Sequence, residues 1–190
     1  MNTMTEKVPL KSKVWLSFAD SMCATLAGLV LGGGMSYFYT KYMGLGEGLA
    51  GIVWLLFGIW NAFNDPLFGY ISDRTKSKLG RRIPYIRYGS IFYAAIFIVT
   101  WVRFPFGGSQ AAMFAQMLVT LFLFDALYTA IATALYVMPF EMAVSNKARS
   151  GIFVWKIAFG VLSLAAPLVI FPLLKPDVGE DATRFQLIMA

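Results

Sequence analysis

Residues 61–85 read NAFNDPLFGYISDRTKSKLGRRIPY, and this stretch contains the features that decide the fold. It begins inside an apolar segment and places Asn61, Asn64 and Asp65 at a depth where a bilayer disfavours polar side chains. A loop with basic residues follows, before the next apolar segment: Arg74, Lys76, Lys78, Arg81 and Arg82. An acid at membrane depth followed by a basic loop between two apolar segments is typical of a transporter and not of a soluble domain.

The composition of the whole chain also predicts a membrane protein. Hydrophobic residues make up 58% of the 190 residues and charged residues only 14%, whereas a soluble domain carries about a quarter charged residues. Apolar runs of about 20 residues, the length that crosses the hydrocarbon core of a bilayer, recur along the chain. The sequence lacks the strand-length alternation of an outer-membrane barrel. We therefore expect an all-α polytopic membrane protein.

Residue usage argues against most enzyme and metal chemistry. The chain has no histidine and one cysteine, Cys23, so it cannot build a zinc cluster, a disulfide framework or a Cys–His pair. The net charge is +6, but the basic residues lie in short loops between apolar runs. That distribution follows the positive-inside rule and is not that of a nucleic-acid-binding face. We expect neither an enzyme nor a partner for nucleic acid.

Hydropathy divides the chain into five complete spans and the start of a sixth. A polar segment covers residues 1–13, and an incomplete six-helix bundle is expected over residues 14–190. The predicted spans cover about 14–42, 49–71, 85–102, 110–142 and 152–174, with a stub at 184–190. Because the stub is too short to cross a bilayer, we expect an amino-terminal fragment of a longer protein, or a half that pairs with another polypeptide.

The distribution of Lys and Arg predicts the orientation of the spans. If the amino terminus is inside, the inner segments hold eleven Lys and Arg residues and the outer segments hold four. This bias predicts a cytoplasmic amino terminus. We expect the chain to lie in the inner (plasma) membrane as a multi-pass protein.

Polar side chains at membrane depth are the candidate site residues. Asp20 lies seven residues after Lys13, about 10 Å along a helix. Asn61 and Asp65 are four residues apart on one helical face, with Asn64 beside them. Their oxygens suit a monovalent cation, or a proton held by Asp65. The alternative is that these groups only hold helices together.

The fourth and fifth spans add further candidates. Asp125 and Thr129 are four residues apart, and Tyr128 and Tyr136 lie on a neighbouring stripe of the same helix. Tyrosine faces with hydroxyl edges suit sugar rings, although aromatic residues in membrane helices also serve packing. Lys156 lies inside the fifth span, where it either reaches the membrane surface or points inward and pairs with one of two acids: Asp20 or Asp125.

Charged residues near the inner surface are predicted to form a gate or structural ion pairs. Glu141 ends the fourth span eight residues before Arg149. The loop after the second span offers further groups for the same role: Asp73, Arg74, Arg81 and Arg82. Exposed pairs of this kind contribute little singly, but a network can hold one face closed.

Several motifs along the chain resemble those of a known family. Two glycine-containing patterns resemble the signature between the second and third helices of the major facilitator superfamily: Gly69-x-x-x-Asp73-Arg74 and Gly80-Arg81-Arg82. The spacing between the two patterns is longer than in the usual form. Further motifs are similar to those of the glycoside–pentoside–hexuronide cation symporters, the melibiose permease group: Asn64-Asp65-Pro66, Pro84 and Tyr128-Thr129. The resemblance covers about residues 20–184.

The resemblance implies roles for individual residues. Asp65 matches the cation-site aspartate of the family, with Asn64 and Thr129 at neighbouring cation-site positions. Asn61 replaces a second cation-site acid, which favours protons over Na⁺. Asp20 matches the sugar-binding acid of the first helix.

The same comparison assigns residues of the fourth and fifth spans to the sugar. Tyr136 matches a sugar-stacking tryptophan of the melibiose permease, and Lys156 matches its arginine. Ala132 occupies the position of a second sugar-binding acid, for which Asp125 is the candidate substitute.

The resemblance implies one half of a twelve-helix transporter that couples a sugar to a monovalent cation, H⁺ or Na⁺, by alternating access. No cofactor, and no metal beyond Na⁺, is expected. The chain would need a carboxy-terminal half as its partner. Two other hypotheses stay open: a lipid or amphiphile transporter on the same scaffold, and a truncated membrane subunit that does not transport.

Overall fold

The computed structural model describes residues 7–104, 108–173 and 189, and over these residues it contains helices and no β-strand. Six α-helices follow one another along the chain: Leu10–Leu29 (α1), Met35–Tyr37 (α2), Glu47–Arg74 (α3), Ile83–Thr100 (α4), Gln110–Met142 (α5) and Asn146–Leu173 (α6). Two π-helical turns, Val30–Gly34 and Phe38–Tyr42, flank α2 and join it to α1. The result is a kinked helical segment of 33 residues from Leu10 to Tyr42.

Four helical segments of the described chain are long and apolar enough to cross a membrane: Leu10–Tyr42, Ile83–Thr100, Gln110–Met142 and Asn146–Ile170. α3 has 28 residues, about 42 Å of helix, but its second half carries three residues that lower its hydropathy: Asn61, Asn64 and Asp65. The prediction of an all-helical, multi-pass membrane protein is confirmed. The count of five complete spans plus a sixth stays a prediction, because the end of the fifth and nearly all of the sixth lie outside the described residues.

α5 covers the predicted residues 110–142, but other helices begin or end beyond the apolar runs that predicted them. α6 begins at Asn146, six residues before the predicted start. Ser145 lies just ahead of it, and its Oγ accepts a hydrogen bond from the Ala148 N–H at 3.3 Å, which is typical of a helix N-cap. α3 likewise continues to Arg74. Hydropathy marks only the part of a helix that lipid covers, so capped and charged ends were missed.

α5 lies at the centre of the bundle, in contact with α1, α3, α4 and α6. The most extensive contacts join α1 to α6, α4 to α5 and α3 to α5. Aromatic and aliphatic side chains fill the core, and the largest fully buried ones are Trp101, Tyr39, Phe38, Phe124, Met35 and Met117. Large apolar side chains also lie on the outside, which a bilayer and further helices would cover.

A glycine breaks the long first helical segment. Gly33 has φ 103°, a left-handed conformation that costs other residues about 1–2 kcal/mol. We expect Gly33→Ala to lower the free energy of unfolding by about that amount, measured by thermal unfolding in detergent. Gly58→Ala is the matched control, because an added Cβ at either position meets no atom within 4 Å but Gly58 is helical. Equal effects of the two changes would contradict a strained backbone at Gly33.

Candidate functional site

α3 and α5 bring two carboxylates into one hydrogen-bonded cluster. Asn64 Nδ2 donates to Asp125 Oδ2 at 2.7 Å and to Thr129 Oγ1 at 2.9 Å. Thr129 Oγ1 in turn donates to Asp65 Oδ1 at 3.2 Å. Trp60 Nε1 donates to Asp125 Oδ2 at 3.1 Å. One amide and one hydroxyl therefore connect Asp65 to Asp125, and we call these five residues the α3–α5 cluster.

Helical spacing explains why these side chains meet. Trp60 and Asn64 are four residues apart on α3, as Asp125 and Thr129 are on α5, so each pair occupies one face of its helix. Asn64 and Asp125 are 0% and 2% exposed. Asn64 Oδ1 is buried and has no hydrogen-bond partner among the described residues. The cluster thus holds a buried acceptor oxygen beside two carboxylates.

Two of the predicted cation-site residues, Asp65 and Asn61, are less buried than Asn64 and Thr129. Asp65 is exposed and contacts the cluster only through Thr129. Asn61 is half-buried, one helical turn before Asp65, and makes no hydrogen bond to any described residue. The structure therefore joins Asn64, Asp65 and Thr129 and leaves Asn61 outside the hydrogen-bonded cluster.

α1 and α6 form a second charged site. Lys156 Nζ lies 3.2 Å from Asp20 Oδ1, and the two side chains are 12% and 32% exposed. The same Nζ donates to the Leu135 carbonyl at 3.4 Å. Asp20 lines a cavity of about 500 Å³ between the two helices, with Ser21 and Ser163 among its walls. Lys156 therefore points into the bundle, and Asp20 is its ion-pair partner.

The structure divides the residues predicted to bind substrate. Asp125 was grouped with Asp20, but it lies in the α3–α5 cluster because Trp60 and Asn64 face it from α3. Tyr128 is half-buried, with its ring centroid 6.4 Å from that of Tyr93. Tyr136 is 66% exposed. It therefore lies open at the surface of the described bundle, and no described ring stacks on it face to face.

Charged residues join α3, α4 and α5 at one end of the bundle. Arg82 is buried, with 7% of its side chain exposed, and its Nη2 lies 2.6 Å from Asp73 Oδ1. Arg82 Nε lies 3.4 Å from Glu141 Oε1, and Nη1 donates to Ser72 Oγ at 2.7 Å. Arg81 reaches the same Glu141 oxygen at 3.6 Å. We call these five residues the Arg82 network.

The partners within this region differ from those that sequence proximity suggested. Asp73 pairs with Arg82 and not with Arg74, whose guanidinium lies 4.2 Å from the Tyr70 ring centroid. Consecutive residues of a helix point in different directions, so Asp73 and Arg74 do not face each other.

Glu141 likewise does not pair with Arg149. Arg149 donates instead to the carbonyls of Ala143 and Val144, each at 3.0 Å. These carbonyls follow the end of α5, where helix geometry leaves acceptors open.

The glycines of the motif have structural roles. Gly80 has φ 93° and turns the loop back toward α4. The Gly69 carbonyl accepts a hydrogen bond from Ser72 Oγ at 3.1 Å.

The sequence alone does not predict two members of these clusters: Trp60 and Ser72. A signal for Trp60 existed, because an indole N–H inside an apolar helix needs an acceptor, and Asn64 lies four residues on. Nothing in the sequence indicated that Ser72 binds Arg82, because a serine before an Asp-Arg pair is typical of a polar helix end.

Comparison with known proteins now gives the family. A family model described as "MFS/sugar transport protein" matches residues 19–190. The chain belongs to this family. MFS proteins of this kind are transporters and not a class of enzymes, and the match confirms the assignment to the major facilitator superfamily that the loop between α3 and α4 indicated.

Relatives in this family carry the names of symporters. The chain is 26% identical over 171 residues to a protein of Escherichia coli (strain K12) named "Putative glycoside/cation symporter YagG". The aligned region covers 86% of this chain and 36% of the relative. It is 26% identical to the "Uncharacterized symporter YnaJ" of Bacillus subtilis, covering 97% of this chain and 40% of the relative. It is 27% identical to the "Uncharacterized symporter sll1374" of Synechocystis, and the aligned region covers 76% of this chain and 27% of the relative.

These relatives also confirm the resemblance to the amino-terminal part of the glycoside–pentoside–hexuronide symporters. This MFS chain spans between 27% and 40% of the length of these relatives.

Proposed function

We propose that the chain forms the amino-terminal part of a secondary transporter that couples a sugar or glycoside to a monovalent cation by alternating access. The family match and the names of the relatives support a symporter. The main observation behind the proposed cation site is that the acids at membrane depth differ in whether a basic side chain neutralises them. Asp20 has Lys156 as its ion-pair partner, whereas neither Asp65 nor Asp125 forms an ion pair within the part of the chain that the structure describes.

The α3–α5 cluster therefore lacks a positive charge of its own. Its donors are the indole of Trp60, the amide of Asn64 and the hydroxyl of Thr129, all of them neutral. Carboxylates at membrane depth cost at least about 2.5–3.5 kcal/mol each unless they are paired. One cation or one proton between Asp65 and Asp125 offsets that cost, and the free Asn64 Oδ1 is a further ligand for a cation such as Na⁺.

The Asp20–Lys156 pair is the proposed sugar site. Asp20 lies ten residues after the start of α1, as Lys156 does in α6, so each is about 15 Å from the amino-terminal end of its helix. A carboxylate accepts hydrogen bonds from sugar hydroxyls and an ammonium donates to them. The adjacent cavity of about 500 Å³ is of the size that small-molecule sites occupy. Tyr128 and Tyr136 remain candidates for contacts with a sugar face.

The Arg82 network is the proposed gate, and the arginine-rich end of the bundle is assigned to the cytoplasmic side of the plasma membrane. Ligands couple if each one stabilises the same occluded state. A cation in the α3–α5 cluster and a sugar beside Asp20 would do so by drawing the helices around α5 together, because α5 contacts both α1 and α3.

An amphiphile is the second candidate substrate. The cavity beside Asp20 is also lined by Leu164, Pro167 and Leu168, and the two leucines are highly exposed. A single charged pair next to an apolar wall suits a lysolipid as well as a glycoside. Competition of sugar and of lysolipid for labelled substrate separates the two, and failure of both to bind would favour a subunit that does not transport.

Asp65→Asn tests the cation assignment in the complete transporter that contains this chain. We expect the variant to reach the membrane in normal amounts and to lose the stimulation of sugar uptake by an H⁺ or Na⁺ gradient. The ratio of uptake with and without the gradient should fall to about one. Glu47→Gln is the control, because Glu47 is a surface acid paired with Lys41 at 3.2 Å. Uptake by Asp65→Asn that still rises with the gradient would refute the assignment.

A further inference from the structure

The loop between α3 and α4 surrounds a cavity beside the Arg82 network that the proposed cation and sugar sites do not use. The cavity has a volume of about 740 Å³, and basic side chains dominate its charged lining: Arg74, Lys76 and Arg81. Gly80 closes the loop, with its N–H donating to the Ser77 carbonyl at 3.0 Å. The Leu79 N–H donates to Ser77 Oγ at 3.1 Å, so the loop has a defined backbone turn.

The acids near this cavity are already paired with arginines. Asp73 is bound by Arg82, and Glu141 is shared by Arg82 and Arg81. The remaining basic residues of the loop form no ion pair with any described residue: Arg74, Lys76 and Lys78. The five basic residues of the loop and these two acids together carry a net charge of +3. The charged lining of the cavity is therefore positive overall, which favours an anion.

The position of the loop indicates which anion reaches it. Exposed aromatic and aliphatic side chains flank it on both helices, including Tyr70 and Ile71 on α3 and Ile83 and Tyr88 on α4. Tyrosines beside basic residues at the end of a membrane helix are typical of the interface between headgroups and acyl chains. The guanidinium of Arg74 lies on the Tyr70 ring at 4.2 Å from its centroid, and an arginine there covers apolar surface while its charge stays at the headgroup level.

We propose that this loop binds the phosphoryl headgroup of an anionic phospholipid of the surrounding bilayer. Arg74 and Lys76 supply two charges that no protein acid neutralises. The side chain of Arg81 is 58% exposed, and its contact with Glu141 is long, at 3.6 Å. It can therefore turn to the phosphate while Arg82 stays bound to Asp73 and Glu141. The acyl chains then lie along the exposed apolar side chains of α3 and α4. The inference does not depend on which substrate is transported.

Lipid titration of the purified full chain tests this site. Phosphatidylglycerol and phosphatidylcholine with the same acyl chains are titrated separately, and bound lipid is counted by native mass spectrometry. Each basic residue near an anionic surface contributes roughly a factor of five in affinity, so Arg74→Gln/Lys76→Gln should bind phosphatidylglycerol about 30-fold more weakly than the parent chain. Phosphatidylcholine binding should not change.

Lys41→Gln/Arg103→Gln is the matched control, because it removes the same charge from outside the α3–α4 loop, at positions preceding α3 and following α4. It should change phosphatidylglycerol affinity less than twofold. An equal loss in the two double variants would overturn the proposal in favour of overall charge, as would equal affinity of the parent chain for the two lipids. Displacement of the lipid by millimolar inorganic phosphate would overturn it in favour of a soluble anion.

Discussion

Arg82→Gln is expected to lower the free energy of unfolding by about 3 kcal/mol, because it removes a buried guanidinium that serves three acceptors. Its partners come from two elements, with Asp73 and Ser72 on α3 and Glu141 on α5. Loss of Arg82 removes the ion-pair partner of Asp73 and leaves Glu141 with only the 3.6 Å contact to Arg81. Thermal unfolding of the purified chain in detergent, followed by circular dichroism, measures the effect.

The neighbouring arginine provides the control for this experiment. Arg81 has the same charge but is 58% exposed, with a longer contact to Glu141 at 3.6 Å. Surface ion pairs of this kind are worth about 0–1 kcal/mol, so Arg81→Gln should have a small effect. Arg82→Lys should recover only part of the loss, because an ammonium cannot reproduce the fork of a guanidinium. Equal destabilisation by Arg81→Gln and Arg82→Gln would contradict the claim that the buried contacts of Arg82 contribute more to stability than the exposed contact of Arg81.

Lys156→Met is expected to reduce sugar uptake by the complete transporter at least tenfold, and to destabilise the bundle. The lysine is nearly buried and faces Asp20 at 3.2 Å, so its removal leaves a carboxylate at membrane depth without a partner. Breaking a buried pair from one side costs about 3–5 kcal/mol, and the partial exposure of Asp20 places the expected loss at about the lower limit of that range. Asp20→Asn should behave in the same way, because it leaves the ammonium unpaired.

The double variant Asp20→Asn/Lys156→Met separates a structural role from a binding role. It removes both charges, so the free energy of unfolding should return to within about 1 kcal/mol of the parent value. Sugar uptake should stay low, because the carboxylate and the ammonium of the proposed site are missing. Recovery of uptake together with stability would mean that the pair only holds α1 against α6. The Asp65→Asn experiment is independent of this result, since Asp65 lies outside the Asp20–Lys156 contact.

Most of the fold was predictable because membrane helices are specified locally. About 20 apolar residues must form a helix in lipid, where every backbone N–H and C=O group needs an internal partner. The apolar runs therefore predicted the helices, and they missed only polar ends such as the Ser145 cap of α6. The break at Gly33 was also local, but a run of three glycines does not reveal which one adopts a positive φ.

The charged members of the candidate site were predictable, and their pairings were not. The sequence indicated Asp20, Asp65, Asp125 and Lys156 because charge is rare at membrane depth. It left open whether Lys156 faces Asp20 or Asp125, and packing of α1 against α6 decided for Asp20. It grouped Asp125 with the sugar residues, and packing of α3 against α5 placed it beside Asn64 instead.

The sequence by itself determined that this chain is a bundle of apolar helices with a few charged residues inside it and a basic loop between α3 and α4. Spacing of three or four residues along a helix sets which side chains share a face, and hydropathy sets which segments enter the membrane. Only the tertiary structure decided which faces meet. The rotation of each helix about its axis and its register against its neighbours depend on the packing of the whole bundle, so Arg82, and not Arg74, became the partner of Asp73.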